Sequence, residues 1–218
     1  MFIVPLDLKV LIAAILIGML RYNKSNHLYF RLLPLFLLLT LLVELLSQLM
    51  HHTKNGNVFI YNLFTILEFT FLSFVFWSII PNPQVAKQIR KTSFILPLIC
   101  LFNVFFIQGL NTFHSYTYML GCLVMIFYSI VYFYQIFNSS QRFDLLREPP
   151  FWISIGVMFF YISSFSVFGL LNNISKLPNI LKYNLQKILY VVNAFYYTLF
   201  IIAFLCQFKI TKSRSSLS

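Results

Sequence analysis

A chain of 218 residues that is 60% hydrophobic and only 10% charged, with a mean hydropathy of +0.82, falls outside the ordinary water-soluble domains and belongs in a bilayer. Its 27 Phe and 13 Tyr suit ring packing in lipid and anchoring at the headgroup level. The formal net charge of +11 sits in short segments between apolar runs and reads as topology signal. Nucleic acid is set aside as a partner, because no basic stretch alternates with aromatics on a polar surface.

Apolar runs long enough to span predict seven helices, over residues 4–20, 32–50, 58–80, 93–109, 115–138, 150–172 and 185–208. The expected fold class is therefore all-α, a polytopic seven transmembrane helix bundle over 1–208 with a short basic cytoplasmic tail over 209–218. The opening run, "MFIVPLDLKVLIAAILIGMLRYNKSN", reads as a retained first helix: its positive charges follow the apolar core and no small-x-small cleavage site appears. It spans only if Asp7 and Lys9 sit at the interface. The breaks carry polar punctuation, "HHTKNGN", "PNPQVAKQIRK", "QGLNTFHS", "SSQRFDLLREPP" and "NNISKLPN". Pro34, Pro97 and Pro150 fall at or near the expected helix starts, where first-turn amides lack partners anyway, and only Pro97 is placed to bend its span.

With the N-terminus outside, eleven of the 16 Lys and Arg fall in inner segments, which sets the expected orientation as N-out, C-in in the cytoplasmic (inner) membrane. Three of the five outer lysines crowd residues 174–187, a stretch readable as a loop or as an amphipathic segment along the outer headgroups. Cys100, Cys122 and Cys206 lie inside apolar runs without metal-site spacing and read as small buried hydrophobes. No cofactor is expected, and membrane lipids are the default partners.

The polar residues inside these runs carry the functional reading. On the second helix Thr40, Glu44, Ser47 and Gln48 share a face, with Glu44 about 9 Å in from the outer end at 1.5 Å per residue. On the third, Tyr61, Thr65 and Glu68 fall at i, i+4 and i+7, and Glu68 comes about 15 Å deep, near the midplane of a roughly 30 Å hydrocarbon core. A carboxyl at that depth is costly, about 2.5 to 3.5 kcal/mol even on insertion scales, so it is expected to face the bundle interior. Asn103 on the fourth helix, Tyr118 on the fifth, Tyr161 and Ser164 on the sixth, and Tyr190, Asn193 and Tyr197 on the seventh fall at comparable depth. If the stripes converge they make an outward-opening pocket, walled by aromatics and floored by Glu68. Taken singly, the Thr, Ser, Asn and Tyr side chains are as readily explained as packing glue between helices. The two glutamates are not, since glutamine supplies the same hydrogen bonds without a titratable group.

His51, His52 and His114 fall in outer loops. A metal shared with Glu44 lacks the ligand spacing, which leaves all three as expected solvated loop residues. The last helix, "YVVNAFYYTLFIIAFLC", has no lysine for a retinal Schiff base, and the absence of intramembrane histidines excludes a ceramidase-like zinc centre. Pro83-Gln84 sits in a charged inner segment, where a PQ-loop carrier would place its motif within a helix.

The stretches "LLVELLSQ", "YNLFTILEF", "FFIQGLNTFHSYTYMLGC", "PPFWISIGVMFFY" and "NAFYYTLFIIAFLC" resemble a group of small uncharacterised bacterial seven-helix membrane proteins, and the membrane input modules attached to histidine kinases. That resemblance implies no catalytic residues. Because the chain stops at Ser218, it implies a signalling output through a separate partner on the cytoplasmic side.

The leading expectation is thus a non-enzymatic sensory or ligand-binding module that admits a small amphipathic molecule from the outer leaflet or periplasmic side. The alternative is a proton-coupled small-molecule transporter loading Glu68 from one side and unloading it to the other. A membrane-embedded lipid-modifying enzyme ranks last, because no nucleophile with its base is visible.

Overall fold

The computed structural model describes residues 5–20, 22, 27–50, 56–139, 144–171 and 179–215. Among these the chain is helical throughout, with no strand: α1 (Leu6–Met19), α2 (Leu28–Met50), α3 (Gly56–Ile79), α4 (Pro83–Phe102), α5 (Ser115–Phe137), α6 (Pro149–Leu171) and α7 (Asn179–Ser215). A π-turn at Asn103–Ile107 extends α4, and a short 3-10 turn at Leu145–Arg147 precedes α6.

Helix starts follow local chemistry more closely than hydropathy. Residues 81–91, expected as a connection, are mostly helical: the Asn82 side chain accepts from the amides of Gln84 (2.9 Å) and Val85 (3.3 Å), and Pro83 fills the first position. Lys87, Arg90 and Lys91 therefore ride on the first turns of α4, and the Arg90 guanidinium lies over the Trp77 ring at 4.9 Å. Likewise residues 179–187 belong to α7, which also runs through the supposed tail as far as Ser215, while 174–178 lie outside the described residues. Pro34 lies within α2 rather than near its start, because α2 begins at Leu28, four residues before the apolar run.

Six helices, α2 to α7, each contain a stretch long and apolar enough to cross a membrane, which makes this a multi-pass membrane protein. α1 is the exception: its 14 residues reach about 21 Å, short of the roughly 30 Å hydrocarbon core. Leu35, Leu38, Leu39, Leu42, Leu45, Leu46 and Leu49 turn outward from α2, as lipid-facing residues do.

Packing places α1 between α2 and α7, α7 against α6, α6 against α5, α5 against α3 and α3 against α2. These six helices close a ring, and α4 lies outside it against α3 and α5. Gly18 permits the tight entry of α1: a Cβ there would come within 2.8 Å of Pro34 Cγ and 2.9 Å of the Phe204 ring. Toward the end where α1 and α3 finish, the ring is filled by fully buried Phe76, Phe200, Phe204, Leu72, Met125 and Ile153. Phe69 caps this packed half from above, its ring lying on Gly121, where any Cβ would overlap it. The other half is hollow.

Candidate functional site

The hollow half holds a cavity of about 590 Å³, lined by residues of every helix in the ring and by none from α4. That size suits a small organic molecule. α2 contributes Phe36, Leu37, Thr40, Glu44, Ser47 and Gln48, and α3 contributes Tyr61, Phe64, Thr65 and Glu68. Tyr118 comes from α5, Phe160, Ser164 and Phe168 from α6, and Tyr190, Asn193, Tyr196 and Tyr197 from α7. The i, i+3/i+4 spacing of these residues is what aims each set at one line of space.

Of the residues singled out from sequence, Glu44, Gln48, Tyr61, Thr65, Glu68, Tyr118, Ser164, Tyr190, Asn193 and Tyr197 all line this one cavity. The Tyr61 hydroxyl donates to Glu44 Oε2 across α3 and α2 at 3.2 Å. Glu68 is 8% exposed and lies within electrostatic reach of Glu44. Tyr161 does not line the space. It is fully buried one layer down, its ring 5.8 Å from that of Phe69 and its hydroxyl close to Glu68 without a partner at hydrogen-bond distance.

Asn103 also lies away from the lining, because the π-turn carries its side chain to the junction of α4 and α5. There its Nδ2 donates to Gln108 Oε1 at 2.6 Å and to Thr117 Oγ1 at 3.1 Å. The same junction holds His114, which is not a solvated loop residue but wholly buried. Its backbone amide donates to Asn62 Oδ1 (3.2 Å), and Asn62 Nδ2 donates to the Thr112 carbonyl (2.9 Å). Its Nδ1 meets Thr117 Oγ1 at 2.8 Å and its Nε2 meets Thr65 Oγ1. The Thr65 hydroxyl in turn reaches the carbonyls of Tyr61 (3.0 Å) and Asn62 (3.1 Å). A neutral ring satisfies this chain: Nε2–H donates to Thr65, and the unprotonated Nδ1 accepts from Thr117. Burial pushes the imidazole down to about 4, so it stays neutral at physiological pH. His51 and His52 lie outside the described residues, among which no group of three potential ligands could hold a metal.

Sequence reasoning missed Asp7. Placed at the interface by hydropathy, it is 7% exposed and lines the cavity, within electrostatic reach of Glu44 and hydrogen-bonding reach of Asn193. The available signal was Pro5 followed by an acid in the first turn, which fixes the start of α1 and carries Asp7 inward with Leu8 and Leu11. Three lining residues, Asp7, Ser164 and Tyr196, each carry a fully buried polar atom without a protein hydrogen-bond partner, as do Ser154 and Tyr161 away from the cavity.

Fold and site together define a class: an all-α, multi-pass membrane protein with an acid- and aromatic-lined cavity in one half of its bundle. No family model, curated protein or solved structure matches the chain.

Proposed function

We propose that the protein is a sensory or ligand-binding module of the cytoplasmic membrane that takes a small amphipathic molecule into this cavity from the outer side. In this reading α1 completes a seven-helix arrangement as a short, partly inserted helix with the N-terminus outside. The distribution of Lys and Arg supports that orientation. The observation that carries the proposal is the contrast within the ring: Asp7, Glu44, Glu68, Asn193 and the tyrosines surround open space at one end, while phenylalanines close the other. Polar side chains kept only as helix glue would pair with each other and leave no space between them.

Ligand binding between α3 and α7 would favour one packing of these helices over another. That change would reach the far end of α7, where a separate signalling partner could read it. The ionisable Glu68 at mid-depth supports a second reading, a proton-coupled carrier, which needs the same cavity open to each side in turn.

Single cysteines at Thr40 or Ser164, in a background lacking Cys100, Cys122 and Cys206, separate the two. A membrane-impermeant maleimide is expected to label them from the outer face of oriented vesicles only. Labelling from both faces would replace the receptor by the carrier. Protection by no added ligand, together with unchanged stability and phenotype in Glu44→Gln and Glu68→Gln, would leave a structural protein.

A further inference from the structure

We infer that the cavity selects an organic cation, an amine or ammonium group on an apolar body, drawn by the acidic lining of Asp7, Glu44 and Glu68. This rests on the reading of the cavity as a ligand site and adds the charge of its occupant.

The chain has only five acidic residues against 16 basic ones, yet three of the five line this one space. They come from α1, α2 and α3, so no single helical periodicity explains the convergence. Glu44 lies within electrostatic reach of both Asp7 and Glu68. No Lys, Arg or His side chain lines the cavity among the described residues. Such a site rejects an anion, gains little from a neutral molecule, and is relieved by a cation that neutralises the cluster.

The hydrogen-bonding inventory agrees. Ionised carboxylates only accept hydrogen bonds and the lining hydroxyls can accept, so Asp7, Glu44, Glu68 and the tyrosines offer acceptors to a donor-rich ligand. An ammonium offers N–H donors and no acceptor, the complement of that set.

The walls supply what the remainder of such a molecule needs. Phe36 stacks on Phe64 at 6.0 Å, Phe113 on Phe168 at 5.3 Å and Phe160 on Tyr196 at 4.6 Å. Aromatic rings attract cations through their faces and bury an apolar body along their edges. A bare metal ion would leave most of the 590 Å³ unfilled and finds no three-ligand group among the described residues.

The test uses the full chain in lipid nanodiscs and three probes that share one body and differ in charge: phenylbutylammonium, phenylbutanol and phenylbutanoate. A Ser164→Trp variant plugs the cavity and reports partition into lipid. The expected order is ammonium at least about tenfold tighter than alcohol, with carboxylate weakest, a gap of about 1.4 kcal/mol at the first step. Combining Asp7→Asn, Glu44→Gln and Glu68→Gln should erase the ammonium preference while leaving alcohol binding within about twofold. Should that triple variant not fold, Glu44→Gln alone, at a half-buried position, should narrow the gap about threefold. If all three probes bind equally well and Ser164→Trp blocks them, cation selectivity is overturned and the ligand site stands. If no probe binds, or the plug changes nothing, both fall.

Discussion

The two halves of the helix ring are built from similar residues but differ in what they enclose: one is filled by rings and the other surrounds a cavity. In the packed half, small hydroxyls turn back on their own helix. Ser73 donates to the Phe69 carbonyl at 2.7 Å and Ser129 to the Met125 carbonyl at 3.0 Å. Phenylalanines fill what remains. In the hollow half Thr40 and Thr65 turn back in the same way, to the Phe36 and Tyr61 carbonyls at 3.0 Å each, but other polar side chains reach across helices, as Tyr61 does to Glu44 and His114 to Thr65. The contrast is between a half packed solid and a half that leaves room for a small molecule.

Emptying the filled half is the largest way to break the contrast. Phe69 is wholly buried between Tyr118, Tyr161 and Gly121, so Phe69→Ala should cost about 3–5 kcal/mol of unfolding free energy in nanodiscs. Phe64→Ala removes the same ring from a cavity wall and should cost less than half as much, since that ring already borders space. Equal losses would mean that the two halves are packed alike. Next comes Gly121→Ala, whose methyl must displace the Phe69 ring, at about 1–3 kcal/mol.

His114 ties the hollow half to its rim and gives it a pH signature. Its folded value of about 4 lies below the ordinary 6.5, so between those limits the unfolded chain binds more protons than the native one. Stability from this group is complete above about pH 6.5 and falls as pH drops toward 4, by at most about 3 kcal/mol. His114→Gln keeps a buried polar side chain without the titration and should flatten that slope in pH-dependent thermal unfolding. A slope that survives in His114→Gln would place the titrating group elsewhere.

Much of this was readable in the sequence where one helix carries its own message. The stripe of Tyr61, Thr65 and Glu68 needs only the period of an α-helix, and the structure sets all three on one cavity wall. The same reasoning failed where position depends on partners. Asp7 looked interfacial because the run around it is short, yet Gly18 admits α1 deeply enough between Pro34 and Phe204 to bury its acid. Asn103 has the right depth but the wrong heading, since the π-turn rotates it toward Gln108 and Thr117. His114 looked exposed because "QGLNTFHS" reads as a loop, and only the pairing with Asn62 fifty-two residues away shows otherwise. Hydropathy registers which residues leave water, not which neighbour receives them.

The smallest effect sharpens the comparison furthest, because it sets one serine against another. Ser129→Ala in the packed half removes a hydroxyl that satisfies itself on the Met125 carbonyl, and should cost about 0.5–1 kcal/mol. Ser164 is just as buried, but its hydroxyl has no protein partner and belongs to a residue of the cavity lining. Ser164→Ala in the unliganded protein should therefore change stability by less than about 0.5 kcal/mol or raise it slightly, since an unpaired group is lost instead of a bond. The same substitution should weaken phenylbutylammonium binding about threefold if the hydroxyl accepts from the ligand. Matching losses of stability at Ser129 and Ser164, with binding unchanged, would make Ser164 ordinary helix packing and leave the carboxyls to hold a ligand without it.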